Sequence, residues 1–394
     1  MNTRPAILPL LLCALVGCSD DSGTATGPEL DGDLNVVGGG NNVPERFSSD
    51  LWVHGNYAYS GTWGFRAEVG NALKVWSLGG NGAPTLVGSV TVPGIGTVSD
   101  VQVSEDGQLL VLSGERGELG SRGGIYLYSL SNPAAPSFLS SVLAGDAGVH
   151  TVTLATIDSR LYAFAARNPG EDAPALLIYD ITDPEAPTLV ATEEYPERNY
   201  GIHDTFVRDG IAFAFVWNDP GLVIYDVGNG IAGGSPSAPV ELSRLQTATN
   251  NVCCGASVHN GWWFHNPVTS ERRYLFIGQE GASNVGTTSS GDIHVVDVSD
   301  LANPREVAFF HLNGAGTHNF WMDEERQILY AAYYNGGVVA IDVSGTLTGN
   351  LAGRMLDQVR PGGAGNTFTW GVQLANGFLY VIDMVSGLWQ LTTE

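Results

Sequence analysis

A chain of 394 residues with 52 Gly, 19 Pro and only 15% charged residues suits a large architecture of short strands joined by tight turns. Its formal net charge of −24 repels polyanions, which argues against nucleic acid and anionic lipid surfaces as partners. The length is ample for a sizeable hydrophobic core.

The first 18 residues are typical of a bacterial lipoprotein leader. Arg4 provides a basic start, residues 6–16 form an apolar run too short to span a bilayer, and residues 15–18 (LVGC) match a lipobox. We expect residues 1–17 to be removed as a signal peptide and Cys18 to carry lipid; the alternative is an ordinary signal peptide with a chance cysteine. The lipid would then be the only membrane contact, in the bacterial cell envelope, at the outer membrane or cell surface.

Residues 18–46 are predicted to form a flexible, lipid-anchored tether, because they are rich in Gly, Asp and Thr and poor in apolar side chains. Residues 33–37 (DLNVV) are an exception, since they form a short run with β propensity. The remaining residues, 47–394, are predicted to form one domain.

One phrase recurs throughout residues 47–394. Residues 176–191 read LLIYDITDPEAPTLVA, in which an apolar strand ends in Asp180, a polar turn follows, and a second strand begins at Thr188. Repetition at a period of roughly 45–55 residues indicates an array of supersecondary units built from strands. The other copies start at Leu73, Ile125, Leu222, Ile293 and Val338.

Aligning the copies gives seven blocks, each with an inner strand ahead of the phrase, and each with four predicted strands except the last, which has three. Residues 33–37 can supply the missing strand, and closing the ring in this way removes an exposed sheet edge. The sequence therefore predicts an all-β fold, a monomeric β-propeller of seven blades closed by an N-terminal strand. Six or eight blades are the alternatives.

The lines IYDITDPEAP (178–187), LYSLSNPAAP (127–136) and VVDVSDLANP (295–304) resemble the LVIVD repeat family of bacterial β-propellers. The likeness covers residues 47–394. It implies the propeller fold and a surface or secreted location. It transfers no catalytic residue, because members of this family are mostly uncharacterised.

Four histidines share one position of the block alignment, the start of the inner strand: His150, His203, His259 and His318. Ser49, Ser99 and Trp370 fill this position in the other blocks. Because inner strands line the central channel of a propeller, we expect these seven side chains to form a ring at one mouth. Neutral imidazoles can bind a divalent transition metal there. The alternatives are structural histidines that hydrogen-bond neighbouring blades, and a binding funnel without metal.

Loops between the second and third strands of each block are predicted to lie on the same face as this ring. Loops on a rigid scaffold concentrate binding residues. Arginines near histidines suit an anionic ligand, whereas the alternative is that each arginine pairs with a local acid such as Glu115. The candidate ligand-binding residues are Arg66, Arg116, Arg122, Arg167, Trp217 and Glu280.

Cys253 and Cys254 are the cysteines that remain once Cys13 and Cys18 are assigned to the leader and the anchor. In an oxidising envelope such an adjacent pair can close a vicinal disulfide. Two packed thiols are the alternative.

Two functions fit these observations. The first is a binding or scaffold module that presents one loop face to a protein, glycan or small-molecule ligand. The second is a metal-dependent enzyme with the ion at the histidine ring. The first is favoured, because no GxSxG, HExxH, Walker loop or dinucleotide fingerprint accompanies the histidines.

Overall fold

The computed structural model describes residues 32–40, 46–64, 69–80, 82–117, 122–196, 201–217, 221–248, 257–281 and 288–394. Regular structure in these residues consists of strands and one short 3₁₀ helix, Ala352–Arg354. No helix of the described residues has the length and apolarity needed to cross a membrane.

The strands follow one another along the chain as β1 (Asn35–Gly39), β2 (Phe47–His54), β3 (Tyr57–Trp63), β4 (Ala72–Ser77), β5 (Thr85–Thr91), β6 (Ile95–Val103), β7 (Leu109–Arg116), β8 (Gly124–Ser129), β9 (Ser137–Leu143), β10 (Val149–Ile157), β11 (Arg160–Arg167), β12 (Ala175–Asp180), β13 (Thr188–Glu194), β14 (Ile202–Arg208), β15 (Ile211–Val216), β16 (Gly221–Asp226), β17 (Val240–Leu245), β18 (Ser257–Phe264), β19 (Tyr274–Glu280), β20 (Ile293–Asp297), β21 (Arg305–Phe310), β22 (Phe320–Asp323), β23 (Ile328–Ala332), β24 (Val338–Asp342), β25 (Gly349–Asn350), β26 (Met355–Val359), β27 (Thr369–Ala375), β28 (Phe378–Asp383) and β29 (Gly387–Thr392).

Neighbouring strands pair antiparallel into four-stranded units, which confirms the predicted all-β architecture. In the described residues these units are β2–β5, β6–β9, β10–β13, β14–β17, β18–β21, β22–β24 with β26, and β27–β29 with β1. The short β25 adds in parallel to β21. Because a single pair, Thr62 with Val98, joins the first two units into one eight-stranded sheet, the blade count itself stays a prediction.

The recurring phrase forms the third and fourth strands of a unit. Its apolar part is a fully covered strand, as in β12, and its second part is an outer strand with partly exposed side chains, as in β13. The aspartate between them caps the turn. A carboxylate oxygen of Asp180, Asp297 and Asp342 accepts the backbone N–H two residues further on, at 3.0, 3.1 and 2.8 Å.

Asp226 extends this turn into a longer loop. Its carboxylate is buried and accepts five backbone N–H groups, at 2.7 to 3.2 Å, and in this way it organises a glycine-rich turn. Gly228, Gly230 and Gly233 have positive φ angles that L side chains rarely adopt. The donors are Gly228, Asn229, Gly230, Ala232 and Gly234.

The N-terminal strand closes the last unit, as predicted. β1 pairs antiparallel with β29, and Asn35 lies opposite Thr392. The paired segment is shifted slightly from residues 33–37, since Leu34 precedes the strand and is only 5% exposed within the core. Its backbone N–H donates to Asp357 Oδ2 at 2.8 Å, in the preceding unit. The closing strand therefore joins two neighbouring units.

Candidate functional site

The inner strands aim the predicted ring residues into the channel by means of β-bulges. His203 falls between two paired residues, Ile202 and Asp204, and has no partner of its own on β15. The same shift occurs at His259 and at Trp370, and at the two-residue steps that contain His150 and Ser99. A bulge turns a side chain out of the ordinary alternation of a strand. The ring position is therefore a bulge position in the inner strands that include it, whereas His318 lies ahead of β22.

The four imidazoles lie together. Ring centroids are 4.2 Å apart from His150 to His203, 4.1 Å from His203 to His259 and 4.1 Å from His259 to His318. Trp370 continues the circle at 4.1 Å from His318. We call these four histidines the histidine ring.

The two serines at the ring position carry no aromatic ring, and their place in the circle stays a prediction. Their side chains are short: Ser49 Oγ donates to the Val98 carbonyl of the next unit at 2.5 Å, and Ser99 Oγ donates to Glu115 Oε1 at 2.8 Å. Trp63 closes the gap instead, with its ring centroid 5.1 Å from Trp370 and 5.9 Å from His150.

A carboxylate faces two of the imidazoles. Glu280 Oε2 lies 3.6 Å from His203 Nε2 and 3.7 Å from His259 Nε2, and the ligand atoms of these three residues all lie within 4.8 Å of one another. The Tyr334 hydroxyl donates to the other oxygen of Glu280. His259 Nε2 is buried and has no hydrogen-bond partner. These three residues form a cluster with the composition and spacing of a metal site.

The remaining two histidines are oriented by hydrogen bonds. His318 Nδ1 donates to the Trp370 carbonyl at 2.6 Å. His150 Nδ1 bonds Glu115 Oε1, which also accepts the Ser99 hydroxyl at 2.8 Å. Such partners fix the tautomer and ring orientation of a histidine. Glu115 thus pairs with a histidine, and not with an arginine as the sequence alternative held.

Three of the histidines are held neutral. Burial and the neighbouring imidazoles lower the pKa of His203 and of His318 well below the usual range, and burial together with His150 lowers the pKa of His259 to about 3. Burial also opposes the charge on His150, but Glu115 outweighs it and raises the pKa of His150. Burial raises the pKa of Glu280. Neutral imidazoles are the form that binds metals.

A cavity of about 470 Å³ opens above the histidine ring, and we call it the mouth cavity. Trp217 stacks on His203 there, with the rings 7° from parallel and 5.2 Å apart. Its lining residues are Trp63, Glu115, Arg116, Ala147, His150, Asn168, Pro169, Ile202, His203, Trp217, Glu280, His318 and Trp370.

The predicted loop residues divide into two groups. Trp217, Glu280 and Arg116 line the mouth cavity, with Arg116 also paired to Asp146 at 3.0 Å. Arg122 and Arg167 do not line it; Arg167 bonds the Ala173 carbonyl at 2.8 Å and Glu194 at 3.4 Å. The other predicted site residues, Cys18, Arg66, Cys253 and Cys254, lie outside the described residues.

Sequence reasoning missed Tyr334, which orients Glu280. Tyr334 follows β23, and no other block of the sequence has two adjacent tyrosines after its second strand. Comparing the repeats therefore gives no indication of its role. Asn319, which follows His318, donates to Asp50 Oδ1 at 2.7 Å.

Comparisons with known proteins agree with this fold. The family model described as LVIVD repeat matches residues 45–64 and 288–311. The β-propeller domain of Cps50 (Swd1) from Myceliophteria thermophila is similar, with 13% identity, a TM-score of 0.58, and coverage of 90% of this chain and 99% of that one. The computationally designed Ika8 protein aligns with 9% identity, a TM-score of 0.53, and coverage of 91% and 100%.

No curated protein matches the chain in sequence. At such low identities the two solved structures show the fold alone. The segments that match the LVIVD repeat model include β2 and β20, which is the third strand of a later unit. The chain is therefore an all-β protein with a β-propeller fold that carries LVIVD repeats.

Proposed function

We propose that the protein is a lipid-anchored β-propeller of the bacterial cell envelope that binds a ligand at the mouth cavity, with a divalent transition metal as part of the site. The observation that carries this proposal is the cluster of His203, His259 and Glu280, of which His203 and Glu280 line a cavity walled by tryptophans. Aromatic walls with a few fixed polar groups are typical of ligand sites.

The cluster fits a metal ion without large rearrangement. Ligand atoms about 2.0–2.1 Å from a tetrahedral zinc ion are roughly 3.3–3.4 Å from one another. The observed separations from Glu280 Oε2, 3.6 Å and 3.7 Å, require only a small inward shift. The hydrogen bond from Tyr334 to Glu280 is the kind of contact that orients a metal ligand.

A metal-dependent enzyme is the second candidate. Three protein ligands leave one position of a four-coordinate ion open, which is the arrangement of catalytic zinc sites. On the side of the mouth cavity, such an open position would serve equally for a bound ligand with a Lewis-basic atom or for an activated water.

Metal analysis tests the site. Protein purified without a histidine tag and dialysed against Zn²⁺, Cu²⁺, Ni²⁺ or Fe²⁺ is expected to retain about one equivalent of one of these ions. The His203→Ala/His259→Ala double variant should retain none, and Tyr334→Phe should weaken the affinity about tenfold. His54→Ala changes an exposed histidine and serves as the control. If the wild-type protein retains no metal, the metal part of the proposal is refuted and a binding module without metal remains.

The lipid anchor has its own test. Because residues 15–18 match a lipobox, Cys18→Ala is expected to move the protein from the membrane fraction to the soluble fraction, or to leave the leader uncleaved. Cell fractionation and the mass of the mature N-terminus measure this. Cys13→Ala is the matched control, and membrane association that is unchanged in Cys18→Ala would refute the anchor.

A further inference from the structure

The loop between β21 and β22 contains an exposed Asn–Gly pair, residues 313 and 314. The two residues occupy the centre of a β-turn, which the Ala315 N–H closes on the Leu312 carbonyl at 3.3 Å. Gly314 has a φ of +70°, and a side chain there would meet no atom within 4 Å. Its N–H has no hydrogen-bond acceptor among the described residues. The backbone nitrogen that follows Asn313 is therefore accessible.

A histidine is hydrogen-bonded to the side chain of Asn313. His311 Nε2 lies 3.0 Å from Asn313 Oδ1, and His311 Nδ1 lies 2.7 Å from Asp292 Oδ1. Because both oxygens are acceptors, the imidazole donates from both nitrogens and carries a positive charge. Burial opposes this charge, but the hydrogen bond to the buried Asp292 outweighs it and raises the pKa of His311. A cationic donor therefore contacts the amide oxygen of Asn313.

The other Asn–Gly pairs of the described residues lack this arrangement. Three of them have the glycine nitrogen hydrogen-bonded or inside a paired strand, namely residues 229–230, 260–261 and 335–336. The fourth, residues 376–377, is exposed at the tip of the hairpin between β27 and β28. The Asn376 side chain donates to the Gly55 carbonyl at 2.7 Å, and no histidine of the described residues bonds it. This fourth pair is therefore an internal reference for the first.

We propose that residues 313–314 are a site of self-modification, at which His311 promotes the conversion of Asn313 to isoaspartate and aspartate. The Gly314 nitrogen attacks Asn313 Cγ and loses its proton, the bond from Cγ to Nδ2 breaks, and ammonia leaves. The product is a succinimide ring, which water opens at either carbonyl to give a carboxylate and a proton. His311 is the catalytic acid: its Nε2–H polarises Oδ1, its proton leaves with Nδ2, and the imidazole regains the proton that Gly314 releases.

The attack requires the peptide plane between the two residues to rotate towards Cγ. The turn bond is long, at 3.3 Å, and the open space around Gly314 permits this rotation. The product carries a carboxylate in place of the amide, so a charge-assisted hydrogen bond from His311 stabilises it. The modification does not depend on the metal site, because none of its residues lines the mouth cavity.

Peptide mapping tests the proposal. The folded protein is incubated at pH 7, and mass spectrometry with chromatographic separation of isoaspartate follows conversion at both exposed pairs over time. We expect Asn313 to convert faster than Asn376. In His311→Gln, conversion at Asn313 should be at least about tenfold slower, with Asn376 unchanged. Thermal melts establish that the variant is folded. No conversion at Asn313, an unchanged rate there in His311→Gln, or an equal slowing at both pairs would overturn the proposal.

Asp292→Asn tests the positioning role of the buried carboxylate. Among the described residues, Asp292 is the charged group that faces the imidazole. Tyr333 faces Asp292 in turn, and burial together with Asp292 raises the pKa of Tyr333 well above its usual range, so that it stays neutral at pH 7. An NMR titration should show a lower pKa of His311 in Asp292→Asn than in the wild type, and conversion at Asn313 should slow.

Asp183→Asn, in an exposed turn, is the control and should change neither quantity. An unchanged pKa of His311 in Asp292→Asn, or an unchanged rate at Asn313 beside a lowered pKa, would overturn the role of the imidazolium. If Asp292→Asn does not fold, the rates in His311→Gln decide.

Discussion

Replacing Leu34 with alanine is expected to lower the free energy of unfolding by about 2–5 kcal/mol, the usual cost of a cavity at a buried leucine. Leu34 is 5% exposed and packs in the cluster that contains Tyr330 and Leu391. It holds β1 in place, and β1 covers the edge of β29. Loosening β1 therefore removes packing and also exposes unpaired backbone groups of the last strand.

Denaturant unfolding followed by tryptophan fluorescence measures this change. Val37→Ala is the matched control, because Val37 is 38% exposed on the same segment and should change stability by less than about 0.5 kcal/mol. We also expect the Leu34→Ala protein to associate at high concentration, through the freed edge of β29. If both variants unfold like the parent, β1 does not contribute to closure.

Asp226→Asn is expected to destabilise the protein by about 2–3 kcal/mol at pH 7. Burial opposes the charge on Asp226, yet the backbone N–H groups of its loop outweigh burial and lower its pKa to about 2. An amide in this place loses the negative charge and turns an NH₂ group towards backbone donors. Asp183→Asn is the control, since Asp183 is exposed and its carboxylate accepts the Glu185 N–H at 3.1 Å.

The effect has a defined pH dependence. The folded pKa of Asp226 is below the value of about 3.9 for an unfolded chain, so the ionised carboxylate stabilises the fold fully above pH 4. The stabilisation is lost as the pH falls from about 4 through 2. The difference between wild type and Asp226→Asn should therefore shrink over this window in urea unfolding. A constant difference down to pH 2 would contradict the role of the charge.

The arrangement of the ring was predictable from the sequence because the fold repeats. His150, His203, His259 and His318 share no local motif, yet each stands at the start of the inner strand that precedes its copy of the phrase. Equivalent residues of repeated units reach the same level of a closed ring. The closing strand was predictable for a related reason, since the last block lacked one strand and an exposed edge is unfavourable.

The detailed chemistry of the site was not predictable in this way. The bulge at His203 depends on how β14 and β15 pair, and an unbulged strand would turn that side chain elsewhere. Glu280 and Tyr334 belong to consecutive units, so their contact follows from the packing of neighbouring units and from no spacing in the chain. Serines at the ring position left a gap that Trp63 fills from a neighbouring strand, which depends on side-chain size.

The pairing of β1 with β29 also sets how the protein would carry mechanical load. With lipid on Cys18, as proposed, 17 peptide steps separate the anchor from Asn35, so the propeller can stand at most roughly 55–60 Å from its attachment point. Any pull between membrane and bound partner passes through β1 first. The ladder to β29 and the bond from Leu34 to Asp357 transmit this pull to the rest of the domain. The strand that closes the ring would thus be the first to detach under load.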